Sequence, residues 1–228
     1  MLIIGHRGAA GHAPENTMSS FEAAFKAGAD MIELDVRLTA DNRLVVIHDS
    51  RLLRTHHLRD LVANVTYERL CELTVDRPVP LLEEILDIYF GRILLNIELK
   101  SRGSGEQLVR LLKKRYITKA SDWDKVIVSS FRGSELVRVR QLAKRANLAL
   151  LHSENPFIFV AYHRFINLTA VGFHRLYLNS LALEIARRAG IFIYVYTVDR
   201  PGALRHLEEK GVQGVVTNYP DKLIAATE

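Results

Sequence analysis

Short runs of aliphatic and β-branched residues alternate with longer amphipathic segments along almost all of the 228-residue chain. The short runs have the length of strands, and the longer segments carry apolar residues at the three- and four-residue spacing of a helix with one buried face. Strands that alternate with helices pair in parallel, and about eight such repeats favour closure into a (β/α)8 barrel. The predicted strands are residues 2–5, 30–36, 43–48, 93–99, 126–130, 148–151, 170–173, 192–197 and 214–217.

The connection between the second and third predicted strands is too short for parallel pairing. Only six residues separate Val36 from Arg43, whereas a parallel crossover needs about a dozen or more. We therefore expect an antiparallel hairpin that turns near Asp41 and places Glu33 roughly opposite His48. Removing the returning strand leaves the eight strands that a (β/α)8 barrel requires.

Residues 1–228 are expected to form a single domain, because this length is usual for one α/β barrel and no Gly/Ser/Pro-rich linker divides the chain. Residues 49–80 break the alternation, since their polarity is mixed and their periodicity is weak. Long connections without regular structure are usually functional or disordered. We interpret this segment as a short insertion over the active-site end of the barrel.

Composition excludes several classes of protein. A single cysteine, Cys71, rules out an intramolecular disulfide and the zinc frameworks built on four cysteines or on two cysteines with two histidines. Charges interrupt every apolar stretch before it reaches the length that spans a bilayer, and the chain opens without the pattern of a signal peptide. We therefore expect a cytoplasmic protein with no integral membrane segment. The net charge of +5 favours anionic ligands only mildly.

Two basic segments, residues 106–119 and 132–145, fit the solvated faces of outer helices, and the first also fits a membrane-surface helix. Nucleic-acid binding would need a basic stripe with interleaved aromatic residues, which these segments almost entirely lack. No nucleic acid is therefore expected as a partner. Nothing in the pattern indicates an oligomeric state.

Charged side chains share one face of two predicted strands. Because strand residues alternate between two faces, Glu33 and Asp35 lie on one face of their strand. In the same way, Glu98 shares a face with Lys100, which directly follows the predicted strand 93–99. Apolar neighbours pack under the helices, so these charged groups point into the barrel, close to the end that carries active sites. Charges buried there are costly unless they are paired or bind a metal. The three carboxylates suit one Mg²⁺ or Ca²⁺, and the alternative is a buried ion-pair network with nearby basic side chains.

Two histidines stand at the ends of predicted strands. His6 ends the first strand and is followed by Arg7, and His48 ends the returning strand of the hairpin. One imidazole can remove a proton from an attacking hydroxyl while the other protonates the leaving oxygen. Arg7 and Lys100 can hold the charge of a phosphate. Together with the inward carboxylates, this set predicts phosphoryl chemistry.

These motifs resemble those of the glycerophosphodiester phosphodiesterase family, in the family's order and from residue 2 to about residue 222. The matching segments are His-Arg-Gly at 6–8, Pro-Glu-Asn-Thr at 14–17, Glu-Leu-Asp-Val at 33–36, His-Asp at 48–49, Asn-Ile-Glu-Leu-Lys at 96–100, Ser-Ser-Phe at 129–131, Val-Tyr-Thr-Val at 195–198 and residues 211–220.

The resemblance implies a barrel related to that of phosphatidylinositol-specific phospholipases C, and metal-dependent hydrolysis of a small-molecule glycerophosphodiester to glycerol 3-phosphate and an alcohol. The residue roles that it implies are acid/base catalysis by His6 and His48, binding of one divalent cation, Mg²⁺ or Ca²⁺, by Glu33, Asp35 and Glu98, phosphate contacts by Arg7 and Lys100, and positions at the edge of the site for Glu15, Asn16, Phe131 and Tyr196.

Two alternatives remain beside this hypothesis. A lysophospholipase D acting on lysophospholipids would have an apolar channel leading to the site. A catalytically silent barrel that only binds phosphodiesters would not need the pair His6 and His48. This chain has Tyr196 and Asn218 where many relatives carry Trp and Asp, so the resemblance constrains the reaction more closely than the alcohol group.

Overall fold

Nine strands form one sheet that closes on itself in the computed structural model, which describes residues 1–152, 155 and 157–227. The strands are β1 (Leu2–Gly5), β2 (Met31–Leu38), β3 (Leu44–Val46), β4 (Leu94–Leu99), β5 (Val126–Ser130), β6 (Asn147–His152), β7 (Ala170–His174), β8 (Phe192–Tyr196) and β9 (Gly214–Thr217). All except β3 pair in parallel, and β1 pairs with both β2 and β9. This closed eight-stranded parallel barrel confirms the predicted fold class.

Helices follow most of the barrel strands and cover the outside of the sheet. They are α1 (Met18–Lys26), α2 (Leu53–His56), α3 (Tyr67–Leu73), α4 (Leu82–Tyr89), α5 (Ser104–Arg115), α6 (Gly133–Leu142), α7 (Ile158–Ile166), α8 (Ser180–Arg188), α9 (Leu204–Glu209) and α10 (Pro220–Ile224), with 3₁₀ turns at Val62–Asn64, Ala120–Lys125, Arg175–Tyr177 and Pro201–Ala203. Across the described ranges, no helix combines the length and the apolar character needed to cross a bilayer.

The third strand lies outside the barrel as the returning arm of an antiparallel hairpin. Val36 faces Val46 in the pairing of β2 with β3, as the short connection predicts. The expected position of Glu33 opposite His48 is wrong by one residue. The N–H of Ile47 donates to the carbonyl of Asp35 at 2.9 Å, a register that brings His48 level with the residue after Glu33.

Side-chain alternation divides the barrel strands as the sequence predicts. Leu34 and Ile97 are buried on the outer face, beneath the helices. On the inner face, a separate apolar cluster that includes Met31, Ala170 and Tyr194 fills the barrel below the charged residues. The charges of β2 and β4 therefore stand on an apolar floor, where electrostatic interactions are stronger than in water.

Residues 49–80 are more ordered than their weak periodicity indicates. They contain α2, α3 and one 3₁₀ turn, elements too short to give a clear periodic pattern. The segment packs on the hairpin through a small apolar cluster of its own, formed by Val45, Ile47, Leu52, Val62, Leu70 and Val79. This cluster is separate from the main core, so the insertion has its own local source of stability.

We predict that Leu70→Ala opens the insertion while the barrel stays folded. Leu70 is fully buried, and truncating a buried leucine to alanine lowers stability by about 2–5 kcal/mol. The small cluster has few other apolar contacts that could compensate for this loss. Hydrogen exchange should accelerate at the amides of α3 and stay unchanged in β4 and β5. Val75→Ala, at a side chain 74% exposed, is the matched control with no expected effect. Equal acceleration in β4 and β5 would show that the insertion opens only together with the barrel.

Candidate active site

A cavity of about 180 Å³ opens at the carboxyl ends of the barrel strands. Eight of the predicted site residues line it: His6, Arg7, Glu33, His48, Glu98, Lys100, Phe131 and Tyr196. The other lining residues are Asn96, Ser129, Leu151, Tyr194, Thr197 and Val216. The remaining predicted residues, Glu15, Asn16 and Asp35, contact members of this set directly or through one another.

Three buried carboxylates form the acidic centre of the site. In the parallel pairing of β2 with β4, Asp35 stands beside Glu98. Glu33 is two residues before Asp35 on the same face of β2, so it lies one layer deeper in the barrel. Oxygen atoms of these three residues lie within 4.8 Å of one another. An all-oxygen, anionic donor set of this size is what Mg²⁺ and Ca²⁺ take as ligands. The cluster can therefore hold a metal ion.

Two basic side chains face these carboxylates. Lys100 Nζ lies 3.2 Å from Asp35 Oδ1 and 2.5 Å from Glu98 Oε1. Arg7 donates its backbone N–H to Glu33 Oε2 at 2.8 Å, and its Nε lies 3.1 Å from Asp35 Oδ2. The ion pairs of the alternative interpretation are thus present, and they use the same carboxylates as the candidate metal site.

Asn16 connects the loop after β1 to the acidic centre. Its Nδ2 donates to Asp35 Oδ2 at 2.9 Å, and its Oδ1 accepts from the N–H of Asp35 at 3.2 Å. Asn16 adopts a left-handed backbone with a φ of 57°, a conformation that Asn tolerates better than most residues. This geometry lets one buried amide hold both the backbone and the side chain of Asp35.

Burial and charge separate the pKa values of the three acids. Burial and the neighbouring Asp35 raise the pKa of Glu98 to about 7 and raise that of Glu33 well above its ordinary value. Burial alone would also raise the pKa of Asp35, but Lys100 and Arg7 bring it to about 2. At neutral pH the centre therefore retains protons that an additional cation would displace.

The His6 ring is fixed by a chain of hydrogen bonds that reaches the loop after β8. Asn218 Nδ2 donates to Asp199 Oδ2 at 2.8 Å, so Asn218 Oδ1 must face His6. That oxygen lies 2.7 Å from His6 Nδ1 and can only accept. The neutral ring therefore carries its proton on Nδ1, with the lone pair on Nε2. Burial, together with the charge of Arg7, lowers the pKa of His6.

His48 has a carboxylate partner in place of an amide. Its Nδ1 lies 2.6 Å from Asp49 Oδ1, and Asp49 Oδ2 accepts from Arg54 Nε at 2.6 Å. Arg37 Nε donates to the carbonyl of His48 at 2.7 Å and fixes the backbone. Burial lowers the pKa of His48. As for His6, the protonated Nδ1 leaves Nε2 available to a ligand.

Glu15 joins the insertion to the first loop of the barrel. It accepts from Arg7 Nη1 at 2.8 Å and from Arg54 Nη1 and Nη2 at 2.8 and 2.6 Å. Burial would raise its pKa, but Arg54 and Arg7 bring the pKa of Glu15 to about 2. Arg77 donates to the carbonyl of Glu15 at 3.2 Å. The insertion thus braces the edge of the site through two arginines.

Aromatic rings form the outer edge of the cavity. Phe131 is 46% exposed and packs edge-on against Tyr196, with ring centroids 6.1 Å apart. Lys100 Nζ lies 5.5 Å from the centroid of Phe131, a cation–π distance. Tyr196 also packs edge-on against His174 at 5.7 Å. This aromatic rim, defined by Phe131 and Tyr196, leads from Lys100 towards solvent.

The structure brings the predicted residues together and adds partners that the sequence analysis missed. Asn218 lies 212 positions from His6, so no local pattern could identify the contact. Asp49 and Arg54 are close to His48 in sequence, and the His-Asp dipeptide was a signal for the first of them. Ser129 was matched only as part of a motif and received no role.

Comparison with known proteins shows the family to which the chain belongs. The model of the glycerophosphoryl diester phosphodiesterase family matches residues 6–222. A glycerophosphodiester phosphodiesterase of Caldanaerobacter subterraneus is 31% identical, with 98% of this chain and 96% of that protein aligned. The crystal structure of a glycerophosphodiester phosphodiesterase from Thermotoga maritima has a TM-score of 0.85 at 27% identity, covering 99% of this chain and 97% of that one.

A phosphodiesterase from Oleispira antarctica, solved in complex with the product sn-glycerol-3-phosphate, shares the fold with a TM-score of 0.87 at 24% identity, covering 100% of this chain and 96% of that one. Because the family model spans nearly the whole chain and the relatives align over nearly their whole length, this protein is a phosphoric diester hydrolase that belongs to the glycerophosphoryl diester phosphodiesterase family.

Proposed function

We propose that this chain hydrolyses glycerophosphodiesters to glycerol 3-phosphate and an alcohol, with one Mg²⁺ or Ca²⁺ held by Glu33, Asp35 and Glu98. The observation that carries the proposal is the pair His6 and His48, which line one cavity with the acidic centre and both have Nδ1 engaged. A barrel that only bound phosphodiesters would have no use for two such oriented imidazoles.

Charge neutralisation determines where the phosphate binds. Arg7 and Lys100 line the cavity next to the carboxylates. When the divalent ion is bound, it polarises a phosphate oxygen as a Lewis acid. With Glu33, Asp35 and Glu98 holding such an ion, Arg7 and Lys100 would be able to turn their donors to the phosphate.

The hydrogen-bond partners of the two histidines support a different role for each. His6 is backed by the neutral amide of Asn218, so its neutral form with a free Nε2 is favoured. It acts as the general base that takes the proton of the glycerol hydroxyl next to the phosphoester, and this oxygen attacks phosphorus to form a cyclic phosphate. His48 is backed by the carboxylate of Asp49, which stabilises an imidazolium, as the aspartate of a Ser-His-Asp triad does. His48 therefore donates its proton to the leaving alcohol oxygen. Water then opens the cyclic phosphate to glycerol 3-phosphate, with the two imidazoles in exchanged acid and base roles.

A second substrate class, the lysophospholipids, is favoured by the aromatic rim. Phe131 is half-exposed at the open edge of the cavity, beside Tyr196. Aromatic surface in this position suits an apolar acyl chain better than a strongly hydrated group. In a lysophospholipid that chain is esterified to the glycerol, so this substrate class requires the glycerol to lie towards the rim. Lysophospholipids are therefore included as substrates in the first experiment.

That experiment measures release of glycerol 3-phosphate from glycerophosphocholine and glycerophosphoethanolamine, and of the lipid product from lysophosphatidylcholine. Each reaction is run with EDTA and then with added Mg²⁺ or Ca²⁺. We expect EDTA to abolish release and one of the ions to restore it. Turnover that persists in EDTA would contradict the metal requirement, and absence of release from every diester would contradict the proposed substrate class.

Removing either imidazole should lower kcat by about 10²–10⁴-fold while the protein remains folded. The variants His6→Ala and His48→Ala also separate the two roles. A glycerol phosphodiester with a p-nitrophenol leaving group needs little protonation, so it should restore much of the rate of His48→Ala and not that of His6→Ala. His206→Ala, on the exposed side of α9, is the control. Equal rescue of both variants would contradict the acid/base assignment.

Metal binding should tighten as the pH rises from about 5.5 to 8. In the metal-free protein the pKa values of Glu33 and Glu98 are raised, so protons compete with the ion below about pH 7 and are released when it binds. Calorimetry in two buffers with different ionisation enthalpies measures both the affinity and the protons released. Glu98→Gln should bind more weakly at pH 8 and release fewer protons. A dissociation constant independent of pH would contradict this explanation.

A further inference from the structure

Two buried uncharged polar atoms, on residues that line the cavity, have no hydrogen-bond partner in the described part of the chain. Ser129 Oγ and Asn96 Oδ1 have no hydrogen-bond partner among residues 1–152, 155 and 157–227. Ser129 is 0% exposed and Asn96 is 2% exposed, yet both line the cavity. Nearly all buried polar atoms of folded proteins are hydrogen-bonded. Two such atoms in one wall of one cavity therefore indicate a ligand that completes them.

The position of these two atoms defines an inner polar corner, formed by Asn96 and Ser129. Ser129 stands beside Glu98 in the pairing of β4 with β5, and Asn96 stands beside Glu33 in the pairing of β2 with β4. Asn96 is two residues before Glu98 on the same face of its strand, so it lies one layer deeper in the barrel. The corner is thus next to the acidic centre, on the inner side of Lys100.

The chemistry of the corner selects a neutral ligand group. A serine hydroxyl can donate and accept, and an amide oxygen only accepts, so the pair complements hydroxyl groups. Neither atom is charged, so neither balances the negative charge of a phosphate. Arg7 and Lys100 provide the positive charge for that group. Leu151 and Val216 supply apolar surface beside the corner, which suits the carbon atoms of a short polyol.

The two ends of the cavity differ in the way that the two ends of a glycerophosphodiester differ. The inner corner is buried and polar, and the aromatic rim is open and largely apolar. Every glycerophosphodiester carries the same glycerol with free hydroxyls, whereas its alcohol varies in size. A constant group can be enclosed and hydrogen-bonded, but a variable group must reach solvent.

We propose that Ser129 and Asn96 bind the hydroxyl groups of the glycerol moiety, so that glycerol lies inward and the alcohol leaves across the aromatic rim. This inference rests on the proposed function and deepens it, because it assigns the orientation of the substrate. It makes Ser129 a specificity-determining residue for a vicinal diol. The phosphate then lies between the corner and the rim, where Arg7 and Lys100 are placed.

The test compares two phosphomonoesters that differ only in the hydroxyls. Calorimetry of the Mg²⁺- or Ca²⁺-loaded protein gives dissociation constants for glycerol 3-phosphate and for n-propyl phosphate. Neutral hydrogen bonds contribute about 0.5–1.5 kcal/mol each, so Ser129→Ala should weaken glycerol 3-phosphate by roughly three- to tenfold and leave propyl phosphate unchanged. Asn96→Leu should act in the same direction.

The neighbouring serine provides a matched control. Ser130 is equally buried, but its Oγ donates to the carbonyl of Leu99 at 2.8 Å and accepts from the N–H of Arg132 at 2.9 Å. Ser130 does not line the cavity. Ser130→Ala should therefore lower the thermal midpoint and leave the ratio of the two dissociation constants unchanged.

Three results would overturn the inference: an equal loss of affinity for both esters in Ser129→Ala, no loss for either, or a wild-type protein that does not prefer glycerol 3-phosphate to propyl phosphate. Because the readout is binding, it is independent of turnover. A preference that depends on Ser129, in a protein that releases no glycerol 3-phosphate from diesters, would support the diol subsite and contradict the proposed function.

Phe131→Ala tests the outward direction of the alcohol. It should leave the ratio of the two dissociation constants unchanged, because the rim does not contact the glycerol. Among the substrates, it should change the relative kcat/KM for glycerophosphocholine and glycerophosphoethanolamine, which differ only in the alcohol. A changed ratio of dissociation constants with unchanged preference among alcohols would reverse the orientation and contradict the inference.

Discussion

The charge balance at the mouth of the barrel is the constraint on which the site depends. Glu33, Asp35 and Glu98 are buried within one small volume, and an apolar floor beneath them strengthens their mutual repulsion. Lys100 and Arg7 offset part of this repulsion, and protons retained on two of the acids offset another part. A divalent cation and an anionic phosphate together would complete the balance, which is why a role in phosphodiester hydrolysis fits these residues.

The barrel makes this concentration of charge possible because its strands are in parallel register. Adjacent parallel strands end at the same edge, so side chains at matching positions of β2, β4 and β5 meet at one level. Residues in the loops then orient the side chains that the strands place at this edge. Asn16 holds Asp35 from the first loop, Asn218 holds His6 from the last, and Arg54 supports His48 through Asp49 from the insertion.

Polar and aromatic surfaces divide the cavity between the two sides of the proposed substrate. The unpaired atoms of Ser129 and Asn96 lie at the buried end, and the half-exposed ring of Phe131 lies at the open end. Hydrogen bonds buried in a protein discriminate strongly, because a missing partner leaves a desolvated atom unsatisfied. Open apolar surface discriminates weakly between groups of different size. One chain can therefore combine strict recognition of glycerol with tolerance towards the alcohol.

Local periodicity in the sequence was sufficient to predict the barrel and the direction of its charged side chains. Alternation along a strand makes Glu98 face inward and Ile97 outward wherever that strand lies. Long-range packing was needed to reveal that Asn218 orients His6, that Arg54 reaches Glu15 and that Ser129 Oγ lacks a partner among the described residues. These features depend on how the closed barrel juxtaposes loops from distant parts of the chain. Sequence spacing carries no information about such contacts, because closure of the barrel, not chain distance, sets them.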